Sequence, residues 1–226
     1  MAGMIHGRQL QWGPSGRPLT PPLDLHLAAG SLTGIIGRNG CGKSSLLKLI
    51  AGWQAPLAGH LRVDAASRGG IGFLLQQQSF DRQFPISLGD LVASGQWRQA
   101  GSRKHRRSRL EQALQCWQLD GLERLPLQAL SGGQLQRALL ARIDLTSARV
   151  LLLDEPEAAL DTSGQALFWA RTRHWQAEGR TLLVASHGLE HLQEHVDSAL
   201  LVSTQGCVHA PIAEFAAKRL PLEQVA

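Results

Sequence analysis

Residues 37–44 read GRNGCGKS, set between the apolar run LTGII at 32–36 and the segment SSLLKLIA at 44–51. An apolar strand-sized run, a glycine-punctuated turn and then helical spacing is the context in which GxxxxGK[ST] acts as a phosphate cradle. The glycines let the backbone N–H groups of Gly37, Arg38, Asn39, Gly40, Cys41 and Gly42 turn toward phosphate oxygens. The start of the helix adds the positive end of its dipole. Lys43 then reaches the β- and γ-phosphates of a nucleoside triphosphate, Ser44 is placed to ligand Mg²⁺, and Ser45 follows in the same turn. The alternative is a chance glycine-rich turn before a helix.

A cradle of this kind needs a carboxylate at the end of a buried strand to hold the metal's water shell. Val150, Leu151, Leu152 and Leu153 form such a strand, Asp154 ends it and Glu155 follows. Asp154 is expected to orient Mg²⁺, and Glu155 is placed to polarise an attacking water as a general base. Either carboxylate alone could be a strand-end turn residue; the two motifs together argue against that. Between them, Leu130, Ser131, Gly132, Gly133 and Gln134 precede the helical run QRALLARIDL. A serine and two glycines at a helix start form either an N-cap or a second anion site.

The remainder of the chain frames these motifs. At 226 residues it can bury roughly 70% of its unfolded surface without disulfide or metal staples. Apolar residues make up 43% and charged residues 18%, an ordinary globular mixture. The 23 basic and 18 acidic residues leave +5, which permits a phosphate-rich partner or an anionic surface and identifies neither. No apolar run approaches the ~20 residues that span a bilayer, and the first residues lack a secretory pattern, so a cytoplasmic protein is expected. Cys41, Cys116 and Cys207 form no CxxC pair and no zinc pattern.

Strands are expected at Gln9 to Trp12, Leu23 to Ala28, Leu32 to Ile36, Leu61 to Val63, Ile71 to Leu75, Val150 to Leu153 and Thr181 to Ser186. A helix is expected from Ser44 to Ala51 and another from about Gly164 to Glu178. Between Leu88 and Leu145 the composition turns to Gln, Leu, Ala and Arg with helical spacing, so an inserted helical lobe is expected at 88–145. The core then comprises 1–87 and 146–226. The fold class is α/β: a P-loop NTPase core with a mixed or parallel sheet, an N-terminal antiparallel β subdomain and the inserted α-helical subdomain. The basic run Arg103, Lys104, His105, Arg106, Arg107 and Arg109 has no interleaved aromatics and reads as a solvated helix face, with a phosphate-binding patch or a weak contact with anionic lipid heads as the alternatives.

LSGGQ together with GRNGCGKS and LLLDEP resembles the ATP-binding subunits of ABC transporters, over essentially the whole chain. The resemblance implies that Ser131, Gly132, Gly133 and Gln134 close over ATP held by a partner copy, so ATP and Mg²⁺ are the implied cofactors and a homodimer the implied assembly. It makes Gln76 the glutamine that contacts Mg²⁺ and the attacking water, Ala159, Leu160 and Asp161 the loop that touches the partner, and His187 the histidine that holds the γ-phosphate. Trp12 stands where the family usually has an adenine-stacking tyrosine, with ordinary packing as the alternative. Lys43, Asp154, Glu155 and His187 are all present, so a competent ATPase is implied.

Substrate choice would rest with polytopic permease subunits and, indirectly, a substrate-binding protein. The segment from Ile71 to Gly95 is similar to the ATPases of zinc and manganese importers at Asp81, Phe84, Pro85, Ile86, Asp90, Leu91, Val92 and Gly95. Iron-chelate and haem importers share part of that pattern. Lys43 and Ser131 lie 88 positions apart, too close for the long coiled coil of a nucleic-acid-acting ATPase of the same superfamily. No nucleic-acid partner is expected, and the chain is placed on the inner face of the cell membrane.

Overall fold

Leu32–Ile36, Val150–Asp154 and Thr181–Ala185 are buried at every position, as expected of parallel strands covered on both faces. The chain is described from a computed structural model that covers residues 3–64, 70–75, 82, 84–97, 99–186, 188 and 192–218. Its strands are β1 (Gly3–Gln11), β2 (Leu23–Ala28), β3 (Leu32–Ile36), β4 (Ala58–Val63), β5 (Ile71–Leu74), β6 (Val150–Asp154), β7 (Thr181–Ala185), β8 (Ser198–Ser203) and β9 (Gly206–Pro211). Its α-helices are α1 (Lys43–Ile50), α2 (Leu88–Ala93), α3 (Arg103–Cys116), α4 (Gly132–Asp144), α5 (Thr162–Ala177) and α6 (Ile212–Lys218).

Six strands form the central sheet in the order β5-β6-β7-β3-β8-β9, parallel throughout except for β9, which returns antiparallel to β8. A separate antiparallel sheet runs β2-β1-β4. In β2 the leucines 23, 25 and 27 are buried, whereas Asp24 and His26 face outward. This is the period-2 pattern of a sheet with one wet face. Strand β1 begins at Gly3, well before the expected Gln9, because pairing on both sides with β2 and β4 holds the polar stretch HGRQ in the ladder. The ladder is irregular near Gln9 (φ 47°), where Asp24 accepts from the Gln9 N–H at 2.7 Å and from its Nε2 at 3.1 Å.

Two apolar clusters cover the two faces of the central sheet. One joins Ile5, Leu10, Trp12, Leu25 and α1 to Leu152, Leu183 and Leu200. The other joins α2, α3, α4 and α5 to Leu151, Leu153, Leu182 and Val184. The helical stretch after β5 therefore packs directly on the sheet. Its helices begin at side-chain caps: a capping box of Ser87 with Asp90 at α2, Ser102 at α3, and a capping box of Ser131 with Gln134 at α4. The basic residues 103–107 at the start of α3 are exposed, and Arg107 pairs with Glu111 at 2.8 Å.

The helical cluster is tied to α5 through one buried carboxylate. Asp144, at the end of α4, accepts from Arg171 Nε and Nη2, each at 2.8 Å, and from the indole nitrogens of Trp175 (2.8 Å) and Trp117 (3.2 Å). Burial raises the Asp144 pKa, but the hydrogen bonds from Arg171 and the two indoles outweigh it and hold the group below its ordinary value. Its contribution to stability is therefore present above the ordinary carboxylate range and is lost as pH falls through the lowered value. Asp144→Ala should cost about 3–5 kcal/mol at neutral pH, because it strands Arg171. Urea unfolding of the two proteins should show that gap steady from pH 8 to about 5 and shrinking below about 4; an unchanged gap in acid would remove the ion pair as its source.

Candidate active site

The carboxyl ends of β3, β6 and β7 converge, and that edge of a parallel sheet is where open α/β folds bind ligands. β7 lies between the other two, and the backbone stitches them: Glu155 N–H donates to the Ala185 carbonyl at 3.0 Å, and Ser186 N–H to the Ile35 carbonyl at 3.1 Å. The turn after β3 and the carboxylates after β6 are thus brought to opposite sides of the β7 terminus. A cleft of about 340 Å³ opens there, lined by Leu19, Asn39, Gly40, Gly42, Lys43, Ser44, Ser45 and Glu155.

The 37–42 turn folds as a cradle because its glycines occupy places that other residues cannot. At Gly37 a Cβ would fall 2.3 Å from the Val202 carbonyl oxygen, so the turn lies against β8 only without a side chain. Gly42 has φ 107° and is the N-cap of α1, with no side chain capping the helix. The first N–H groups of α1 are consequently left for an anion. Lys43 is buried, and its Nζ donates to the Gly37 carbonyl at 2.6 Å and the Arg38 carbonyl at 3.3 Å. Those carbonyls hold the ammonium inside the loop that a triphosphate would occupy. The Cys41 thiol is buried and pushed up by desolvation despite Lys43 nearby, so this position offers the ligand its backbone rather than a thiolate.

Asp154 is buried at the end of β6, and its carboxylate accepts a hydrogen bond from the Ser44 side chain. Burial raises its pKa; Ser44 opposes the shift, Glu155 adds to it, and Lys43 and Lys48 oppose it from a distance. Its Oδ1 is buried with no hydrogen-bond partner. An orphaned carboxylate oxygen beside a serine hydroxyl at the mouth of a phosphate cradle fits a hard divalent cation such as Mg²⁺, which takes oxygen ligands. Glu155 takes a left-handed backbone (φ 50°), rare for a non-glycine residue. It lines the cleft over the cradle and also a second cleft of about 240 Å³ formed with Glu157, Ala158, Leu160, Gln165, Ala185, Ser186 and Gly188. Gln76, His187 and Asp81, singled out from the sequence, lie outside the described residues.

The Ser131 hydroxyl accepts from Gln134 N–H at 3.1 Å, and Gln134 Oε1 accepts from Ser131 N–H at 2.9 Å. This box opens α4 at Gly132 and Gly133. Among the described residues lining the cleft over the cradle, none comes from 131–134. Asp161 is the N-cap of α5, accepting from Gly164 N–H at 2.8 Å and Ser163 Oγ at 3.1 Å. These bonds hold its pKa below the ordinary value. Gln136, which sequence reading did not single out, donates from Nε2 to the Pro156 carbonyl at 2.6 Å and so ties α4 to the segment after Glu155.

Trp12, expected at the adenine, lies against the end of the turn at Gly42. It is 1% exposed and shares an apolar cluster with Leu10, Leu46 and Leu47. Its Nε1 donates to the Gly42 carbonyl at 3.1 Å. A Cβ on Gly42 would lie 2.9 Å from that nitrogen and 2.8 Å from Leu19 Cδ1. The loop after β1 folds back through Leu19 N–H to the Trp12 carbonyl at 2.9 Å, which puts Leu19 at the cleft and the indole beneath it.

A family model described as ABC transporter matches residues 21–158. The manganese transport system ATP-binding protein MntB of Listeria innocua serovar 6a is 31% identical over 198 residues, 84% of this chain and 82% of that protein. The zinc transport system ATP-binding protein TroB of Treponema pallidum is 29% identical over 197 residues, 84% of this chain and 74% of that protein. Among solved structures, a chain from a transporter assigned to the metal-chelate ABC type, in an inward-facing conformation, superposes with TM-score 0.81 at 27% identity, covering 100% of this chain and 88% of that one.

The indole contact has its own test. Trp12→Phe keeps an aromatic ring and removes the bond to Gly42, worth about 1 kcal/mol. Equilibrium binding should weaken about fivefold, and equally, for ATP and for inorganic triphosphate, because the loss acts on the loop. A loss confined to ATP would point to contact with the base.

Proposed function

The chain belongs to the ABC transporter family as an ATP-hydrolysing subunit, and on that footing we propose that it powers uptake of a divalent metal ion, zinc or manganese, through polytopic permease subunits. The observation that carries this reading is the convergence of Lys43, Ser44, Asp154 and Glu155 on one sheet edge, together with relatives named for manganese and zinc transport.

In this reading the N–H groups of the 37–42 turn and the start of α1 bind the phosphates of ATP, and Lys43 Nζ exchanges its two loop carbonyls for phosphate oxygens. Ser44 and Asp154 would hold Mg²⁺, with Gln76 as a further ligand; the ion supplies neutralisation of the phosphate charge when bound. Glu155 takes the proton of the attacking water, and His187 holds the γ-phosphate. The signature residues Ser131, Gly132 and Gly133 line no part of their own chain's cleft among the described residues. This supports two copies arranged head to tail, each closing the other's ATP, with Asp161 at the contact. ATP binding then brings the two copies together and drives the permease to one access state, and hydrolysis resets it. The segment 71–95, which is similar to zinc and manganese ATPases, includes α2, where the helical cluster begins. The subunit would sit on the inner face of the membrane; no helix among the described residues is long and apolar enough to cross one.

Glu155→Gln should lower ATP turnover by about 10²- to 10⁴-fold, the usual general-base contribution, while nucleotide binding persists. Wild-type turnover in that variant would remove Glu155 as the base. Cells lacking the protein should fail to grow under zinc or manganese chelation and recover when the metal is restored. A growth defect confined to iron-chelate limitation would instead favour an iron-chelate substrate.

A further inference from the structure

The outer face of the small antiparallel sheet carries a feature that ATP chemistry does not use. His6 on β1 and His26 on β2 stand directly opposite each other in the ladder, flanked by the pairs Ile5 with Leu27 and Gly7 with Leu25. Directly opposed residues on one face of an antiparallel pair have Cβ atoms about 5 Å apart. Here the two rings meet edge to face, with centroids 4.6 Å apart and the Nδ1 atoms separated by 3.0 Å.

We propose that His6 and His26 form a surface site for a borderline transition-metal ion such as Zn²⁺, bound through the two Nδ1 atoms, with water completing the coordination. Tetrahedral zinc with Zn–N bonds of about 2.0–2.1 Å separates two nitrogen ligands by about 3.3–3.4 Å. The observed pair needs only a few tenths of an ångström and a small rotation of each ring. The scaffold is rigid on its inner side, where Ile5, Leu25 and Leu27 are buried. The pair faces solvent, so hydrated metal reaches it without opening the core.

The surroundings do not oppose a cation strongly. Arg62, opposite His6 on β4, is paired with Asp64 at 2.7 Å. Asp24, next along β2, is engaged by Gln9 and is not needed as a ligand. His209 on β9 lies near enough for His26 to affect it; burial, with His26 adding to the effect, keeps its imidazole toward the neutral form. Its Nε2 is engaged with Ser198 Oγ at 3.1 Å, and no set of three His, Cys, Asp or Glu among the described residues is arranged to hold a metal. The site is therefore a two-imidazole one. Two imidazoles suit Zn²⁺, Ni²⁺ or Cu²⁺ and bind Mn²⁺ and Mg²⁺ poorly, which separates this site from the ion bound with nucleotide.

The test is Zn²⁺ binding to the full nucleotide-free chain, read by competition with a chromophoric chelator at pH 7.5. Wild type should take up zinc at this site, and both His26→Gln and His6→Gln should weaken that binding at least tenfold. His60→Gln, an exposed histidine on β4, should leave it unchanged, and millimolar Mn²⁺ should not displace the zinc. Cu²⁺ as a second probe should show electron-paramagnetic coupling to two imidazole nitrogens in wild type and to one in His26→Gln. Equal zinc affinity in wild type and His26→Gln, or no zinc uptake by wild type, would overturn the site and leave the pair as a hydrogen bond between two rings. Binding is read without ATP or transport, so its outcome is independent of which substrate the transporter carries.

Discussion

The register that pairs Ile35 with Ala185, and Ala185 with Asp154, decides where the phosphate loop and the carboxylates meet. Successive residues in a parallel strand advance about 3.3 Å, so a shift of one would move Asp154 a full residue away from Ser44 and turn its side chain to the other face. The register is held by burial, since β3, β6 and β7 are covered at every position. It is extended beyond the strands by the bonds from Glu155 to Ala185 and from Ser186 to Ile35. The chemistry therefore sits on the ladder's last bonds.

The site gathers groups in uncommon settings. Lys43 holds its ammonium against loop carbonyls, Asp154 keeps one oxygen buried and unpartnered, and Glu155 takes a left-handed backbone. The packing beneath holds the loop and the glutamate in place: Trp12 pins Gly42 from below, and Gln136 ties α4 to Pro156 just after Glu155. Strain of this kind persists only where the surrounding structure is firm.

Much of this was legible in the chain. GRNGCGKS between an apolar run and a helical one located the cradle, because glycine tolerance and helix-start chemistry are local properties. VLLLDE located the carboxylates because a strand buried on both faces needs a continuous apolar run. Strands β8 and β9 were not anticipated, since short half-buried runs such as SALLVS carry little periodicity. The start of β1 was missed because its polar residues enter the ladder only through partners distant in sequence. The bond from the Trp12 indole to the Gly42 carbonyl joins residues 30 positions apart and was not legible in the sequence.

By itself the sequence determined the glycine-rich turn before α1, the strand that ends in Asp154 and Glu155, and the helix start at Ser131, because each is written in consecutive residues whose backbone preferences are local. The tertiary structure decided which of these meet. It set Ser44 against Asp154, drew Trp12 into the core, joined α4 to α5 through Asp144, and placed His6 opposite His26. Those pairings join residues between 20 and 110 positions apart, and only strand register and the packing of two apolar clusters bring such residues together.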